Sequence, residues 1–314
     1  MSTSTPFIDP ATLMRIQSLE LRARIVVEGF YHGIHRSPFH GFSVEFSEYR
    51  PYSTGDDPRH IDWRLVGRTD RYYVKRYEAE TNLRCHLLVD VSRSMAYSSA
   101  DYSKGEYART AAGTLAYFLG QQRDAVGLIA FDDDVLEYIP PRYRPGHLHR
   151  LMVSLNRPES GNATDLGAPI RFLSQVARKR SLVILISDFM APIEQIESHL
   201  SVMRSLGHDI VLIRVTDPAE TAFSFEEPVL FEEMESGKTL FVDPSAVREE
   251  YLNRYKDHEA ALKEMCGDLG IALHCFTTDQ PLELTLYEFV TSRLRRGGGS
   301  RTSATRPYGA GAHG

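Results

Sequence analysis

The chain has 314 residues, with 36 Lys and Arg against 42 Asp and Glu, giving a formal net charge of −6. A hydrophobic share of 42% with 25% charged residues is the balance of a folded globular protein, and it excludes a wholly disordered, collagenous or membrane-embedded chain. A chain this long removes roughly three-quarters of its unfolded surface from water, enough for a core without disulfides or a structural metal, and the acidic total sets nucleic acid aside as the default partner.

Residues 1–9 lack the charged and apolar regions of a signal peptide. No stretch approaches the ~20 apolar residues of a membrane span, so a cytoplasmic protein with no membrane span is expected. Cys85, Cys266 and Cys275 have no close pair and lie within or beside apolar segments. They read as reduced and buried, and neither as a disulfide framework nor as a zinc site. Over residues 9–30, Leu13, Ile16, Leu19, Leu21, Ile25 and Val26 recur at helical spacing and predict one amphipathic helix, ended by Gly33, Pro38 and Gly41. Residues 41–80 are rich in polar, aromatic and Arg residues and show little periodicity.

From residue 84 short apolar runs alternate with amphipathic ones. Strands are predicted over 84–91, 125–131, 135–139, 181–187, 209–215 and 271–276, and helices over 102–121, 147–155, 166–177, 193–206, 247–269 and 281–294. This order predicts an α/β fold with a doubly wound, mostly parallel sheet flanked by helices. Two β-like runs, 228–231 and 239–242, predict a hairpin inserted at about 219–243. We divide the chain into an N-terminal helix and Arg/Asp-rich segment packed on the main domain (1–83), the α/β domain (84–294) and a flexible tail (295–314).

Open α/β sheets bind ligands outside the carboxyl ends of their strands. The first strand ends in Asp90-Val91-Ser92-Arg93-Ser94, the loop before residue 166 carries Thr164-Asp165, and the fourth strand ends in Ser187-Asp188. In an extended strand end, residues two apart project to one side, so Asp90, Ser92 and Ser94 would converge. Two carboxylates and three hydroxyls are hard oxygen ligands suited to Mg²⁺, with Mn²⁺ or Ca²⁺ as alternatives. Few anionic ligands would leave such an ion able to accept a carboxylate from a partner. The competing reading is that Asp and Ser only cap turns, and Asp165 is expected to cap the helix beginning at Leu166. Asp132-Asp133-Asp134 reads as a solvated hairpin turn, and His32, His35 and His40 lack the carboxylates or thiolates of a zinc site. Neither a phosphate-binding Gly-x-x-x-x-Gly-Lys loop nor a Gly-x-Ser-x-Gly elbow is present.

Asp90-x-Ser92-x-Ser94, Thr164 and Asp188, in that order on an α/β alternation, resemble the metal-ion-dependent adhesion site of a von Willebrand factor type A domain. The resemblance implies that the Ser and Thr hydroxyls bind the metal directly or through water. It also implies that the Asp residues act mostly through water and that a partner's Glu or Asp completes the octahedron. Three further stretches resemble the signature of the bacterial family catalogued as domain of unknown function 58. They are Ser47-Glu48-Tyr49-Arg50-Pro51-Tyr52, Gly55-Asp56-Asp57-Pro58-Arg59-His60-Ile61-Asp62-Trp63 and Tyr73-Val74-Lys75-Arg76-Tyr77-Glu78-Ala79-Glu80. That family couples this block to a type A domain and is typically encoded beside a MoxR-type AAA+ ATPase. Many relatives carry transmembrane segments before the block, and this chain reads as a soluble, short form.

Within the block, Arg50, Asp56, Asp57, Arg59, Asp62, Lys75 and Glu78 would form an ion-pair network, structural or partner-facing, around the single Trp63. The expected function is a non-enzymatic, metal-dependent protein-binding module that works with a MoxR-type ATPase and a client offering an acidic side chain. The alternatives are a divalent-metal-dependent phosphoester hydrolase, for which Arg93 is the only obvious charge clamp, and a structural scaffold with an empty metal site.

Overall fold

The computed structural model describes residues 7–36, 49–51, 73–75, 83–157, 164–227, 229–232 and 239–297. Two helices open the chain, α1 (Pro10–Met14) and α2 (Leu19–Arg36), where the spacing of apolar residues predicted one. The break has a cause in Arg22. Its guanidinium donates to the carbonyls of Ile16 and, at 2.9 Å, Met14, so a side chain satisfies the carbonyls that a continuous helix would use. Ser18 then starts α2 by accepting from the Leu21 N–H at 3.3 Å. The helix continues through Gly33, which was expected to end it.

Two short strands, β1 (Tyr49–Pro51) and β2 (Tyr73–Lys75), pair antiparallel, with Tyr49 opposite Lys75 and Arg50 opposite Val74. Asp56, Asp57, Arg59, Asp62, Trp63 and Glu78 lie outside the described residues, as does His40; His32 is exposed on α2.

The main sheet follows in chain order: β3 (Arg84–Asp90), helix α3 (Lys104–Gln121), β4 (Ala125–Phe131), β5 (Val135–Arg142), helices α4 (His147–Leu155) and α5 (Gly167–Val176), then β6 (Leu182–Ser187), α6 (Ile193–Ser205) and β7 (Asp209–Thr216). A short helix α7 (Pro218–Ala222), the hairpin β8 (Val229–Glu232) and β9 (Thr239–Val242), the long helix α8 (Pro244–Asp268), β10 (Ala272–Thr277) and α9 (Leu282–Gly297) complete it. The six strands lie in the order β10-β7-β6-β3-β4-β5, and every neighbouring pair is parallel except β4 with β5. The expected doubly wound, mostly parallel α/β sheet is the fold.

Period-two alternation divides the strands' side chains between two cores. Leu87, Val89, Ile184 and Ile186 pack with α1, α2, α3, α4 and α9 on one face, whereas Leu88, Val183 and Leu185 pack with α5, α6 and α8 on the other. All six residues of β6 are buried, as a central strand covered on both faces requires. Each such Leu or Ile contributes about 1.5–3 kcal/mol through the apolar surface it removes from water.

β5 runs through Pro140 and Pro141 to Arg142, three residues past its predicted end, as an antiparallel edge strand. Its register against β4 shifts between Val126 and Leu128. Gly127 makes that irregularity fit, because a Cβ there would lie 2.7 Å from both Ile139 O and Pro141 N.

Two expectations are corrected. Cys85 and Cys266 are buried but Cys275 is exposed, because β10 is the other edge of the sheet and only one of its faces is fully covered. Asp133 and Asp134 are exposed, as a solvated hairpin turn requires, but Asp132 in the same turn is 4% exposed: its Oδ1 accepts from Asp134 N at 3.1 Å and its carbonyl from Asp165 N at 2.9 Å. Among the described residues, no helix is long and apolar enough to cross a membrane.

Candidate metal centre at the strand ends

β3 and β6 are neighbours, yet the chain leaves β3 for β4 on one side and β6 for β7 on the other. The crevice outside their carboxyl ends is the topological switch point, where side chains from both crossovers can meet.

Asp90, the last residue of β3, is fully buried. Its Oδ1 accepts from the Ser92 N–H at 2.9 Å and its Oδ2 from the Ser187 hydroxyl at 2.6 Å. Ser92 is buried as well, and its hydroxyl lies 3.1 Å from that of Ser94. Alternation along a strand is not what joins them. Ser92 keeps extended backbone, whereas Ser94 sits in a 3-10 turn over Arg93–Ala96, and that turn folds the second hydroxyl back while Arg93 stays exposed.

The Thr164 loop is tied to the same rim. Val91 N donates to Phe131 O and Asp165 N to Asp132 O, both at 2.9 Å. The Thr164 hydroxyl oxygen is buried and has no hydrogen-bond partner among the described residues. The helix that Asp165 was expected to cap begins at Gly167, with Leu166 in the N-cap position, and the Asp165 carboxylate sits one residue further back, accepting from Gly167 N and from Arg171, both at 2.7 Å.

Asp188 follows β6 and is 2% exposed. Its Oδ1 accepts from Met190 N at 3.2 Å, and its Oδ2 pairs with the Lys104 ammonium at 2.9 Å. Lys104 also pairs with Glu220 at 2.7 Å, and its side chain is 1% exposed. Phe189 takes a left-handed backbone, φ 54°, uncommon for a bulky residue. The Ser187 hydroxyl accepts from its N–H at 3.1 Å, and His258 bonds its carbonyl at 2.9 Å. Arg214, also buried, donates to the Asp188 carbonyl at 3.1 Å and lies over the Tyr255 ring at 4.9 Å. Beside these residues opens a cleft of about 370 Å³ lined by Met190, Ala191, Pro192, Tyr251, Arg254, Tyr255 and His258.

The two carboxyls are not electrostatically equivalent. Burial and then the neighbouring Asp188 push Asp90 up to about 7, against the bonds from Ser187 and Ser92. Burial acts on Asp188 in the same direction, but the Lys104 ammonium outweighs it and holds Asp188 below the ordinary carboxylate range. Burial likewise opposes the charge on Lys104, and Asp188 with Glu220 carries it above the ordinary lysine range. Burial alone would discharge both members of the pair, and it is the nearby opposite charge that keeps each ionised.

The structure thus brings Asp90, Ser92, Ser94 and Asp188 to one switch point, with Thr164 on the adjoining loop. Sequence reasoning missed Ser187, Lys104, Glu220 and Arg214. Lys104 did leave a signal: it opens α3 directly after the Ser103 cap, where the helix dipole disfavours a cation. A lysine in that place needs a carboxylate from elsewhere.

The donor set fits a hard divalent cation. It offers only oxygen, it leaves the Thr164 hydroxyl unpaired, and it crowds two buried carboxyls against a single ammonium. Among the described residues, no group of three or more His, Cys, Asp or Glu side chains is placed to hold a metal, so an ion here would depend on the hydroxyls.

An uncharacterized protein of Mycobacterium tuberculosis, Rv1480, is 27% identical over 292 residues, covering 91% of each chain. Among solved structures, the conserved hypothetical protein BatB from Bacteroides thetaiotaomicron matches with a TM-score of 0.47 and 14% identity over 68% of this chain and 99% of its own. The SpRpn10 VWA domain matches with a TM-score of 0.41 and 12% identity over 66% and 94%. The model of the family described as "Protein of unknown function DUF58" matches residues 48–261, more than half of the sequence, and the chain belongs to that family.

Proposed function

We propose that this protein is a non-catalytic, metal-dependent protein-binding module of the cytoplasm, which works with a MoxR-type AAA+ ATPase in the maturation or assembly of a client protein. The observation that carries the reading is the convergence of Asp90, Ser92, Ser94 and Asp188 at the switch point, beside a buried Thr164 hydroxyl with no partner. Ser92, Ser94 and Thr164 would hold Mg²⁺ by their hydroxyls, and Asp90 and Asp188 would hold it through water. When bound, the ion supplies an electron-poor coordination position for a carboxylate from the partner.

The rest is the work of this chain's own residues. Ser187 and the Ser92 N–H fix the Asp90 carboxylate, while Met190 N and Lys104 fix that of Asp188. The Phe189 turn, bonded by His258, sets Met190 at the mouth of the adjoining cleft. That cleft would take the apolar side chain next to the partner's acidic residue. The commitment of Lys104 to two carboxylates supports binding over hydrolysis, because a charge clamp for a phosphoester must be free to meet its substrate.

The test combines isothermal calorimetry with Mg²⁺ and capture of the purified MoxR-type ATPase from the same organism, run with Mg²⁺ and with EDTA. Capture is expected only with Mg²⁺, and the Ser92→Ala, Ser94→Ala double variant should keep the fold and lose both ion and partner. Equal capture by the folded double variant would overturn the reading.

A further inference from the structure

Oxygen-ligand chemistry does not call for Lys104, whose side chain pairs with the Asp188 carboxylate itself. Its ammonium is buried at a helix N-terminus, 2.9 Å from Asp188 and 2.7 Å from Glu220, with the Tyr97 ring 5.9 Å away. Ordering a long side chain there costs rotamer entropy, and the helix dipole opposes the charge. The two carboxylates are what offset both costs.

We infer that Lys104 is a resident counter-cation of the site: it neutralises Asp188 while no divalent ion is bound, and gives up Asp188 for Glu220 when one binds. The inference rests on the metal reading above and adds the residue that sets the ion's affinity. Two positive charges beside one buried carboxylate repel strongly in a medium of low dielectric, so the ammonium must yield if an ion is to approach Asp188. Glu220 is built to receive it. One oxygen, Oε1, already bonds Nζ, while the other accepts from Asp217 N at 2.9 Å within the capping box of α7. Asp217 in turn accepts from Ser99 N at 2.9 Å and from the Ser99 hydroxyl. Glu220 is thereby a fixed acceptor, and the ammonium can change partners with only a small movement of its own chain.

Lys104→Met and Glu220→Gln shift affinity in opposite directions if this is right. Removing the ammonium leaves Asp188 uncompensated, so Lys104→Met should melt lower without ion, bind Mn²⁺ or Mg²⁺ about tenfold more tightly, and gain more in melting temperature on ion addition than wild type. Glu220→Gln keeps the acceptor for Asp217 N but deprives the ammonium of its second carboxylate, so affinity should fall by roughly threefold or more.

Calorimetry of the full chain with each ion, with thermal melting in parallel, reads all of these. Binding by Lys104→Met alone, with none by wild type, supports the inference. If wild type binds and a cooperatively melting Lys104→Met binds equally or more weakly, the inference fails while the metal reading stands. Absence of binding in both sinks the metal reading and this with it. Should Lys104→Met not fold, Glu220→Gln decides, and equal or tighter binding by it overturns the inference.

Discussion

Among the described residues, both ends of the central sheet bury ionisable side chains, but only the carboxyl end, where Asp90 is pushed toward its neutral form as well, keeps a buried pair charged. At the carboxyl end Asp188 and Lys104 are buried as charges, each held ionised by the other. At the amino end His86, His208 and Asp124 are pushed toward their neutral forms. Burial, then His208 and Arg84, take His86 down to about 4, and burial lowers His208 while Ser181 lies 2.9 Å from its Nδ1. Burial raises Asp124 to about 6, opposed by the Leu83 N–H and Arg293. The amino end follows the inexpensive rule for a protein interior, which is to bury polar groups uncharged. The carboxyl end departs from it in the Asp188 and Lys104 pair, where the attraction of the two charges must offset the desolvation of both.

The largest expected effect tests the charged end. Without metal, Lys104→Met leaves two carboxylates facing a vacated position and should cost about 3–5 kcal/mol in denaturant unfolding, the usual loss when one partner of a buried pair is removed. Stability equal to wild type would break the comparison.

The next effect belongs to the neutral end. The unfolded chain protonates His86 near 6.5, whereas the native state refuses the proton until about 4. Stability is therefore full above 6.5 and declines as pH falls through that window, by about 3 kcal/mol between about pH 7 and about pH 4. His86→Gln should flatten this limb of the curve, and an unchanged slope would show that His86 is not its source.

Ser187→Ala returns to the charged end, removing the donor to Asp90 and the acceptor for Phe189 N. A loss of about 2 kcal/mol is expected from those unpaired groups, with chemical denaturation as the check.

The smallest effect is at Asp124. Its native carboxyl holds a proton up to about 6 while the unfolded one releases it near 3.8, so stability falls as pH rises through that interval. Asp124→Asn keeps the acceptor for Leu83 N and removes an ionisation cost of about 3 kcal/mol at neutral pH, but its amide buries new donors at about 2 kcal/mol, so a net gain of about 1 kcal/mol is expected. A loss instead would mean that Arg293 pairs with Asp124 well enough to favour its charge.

Much of this was legible in the sequence, for physical reasons that differ by element. β6 reads plainly because a strand buried on both faces must be an unbroken apolar run, and Asp90, Ser92, Ser94 and Asp188 stand out because polar residues end such runs, whereas Thr164, in a polar loop, was singled out by the resemblance. The break between α1 and α2 was illegible, since it depends on Arg22 reaching back to carbonyls that helical periodicity assigns to a continuous helix. Lys104 and Glu220 were illegible as a pair: 116 residues separate them, and only the folded sheet brings α3 and α7 together. Cys275 misled because its apolar neighbours say nothing about which strand ends the sheet.

Pro140 and Pro141 bear on how this protein meets others. An edge strand presents unpaired N–H and C=O groups on which a foreign strand can template, and two consecutive prolines leave β5 without N–H donors at two successive positions, whichever side each faces. The register shift opposite Gly127 makes the margin more irregular still. β5 is thereby a poor seed for intermolecular sheet growth along this flank.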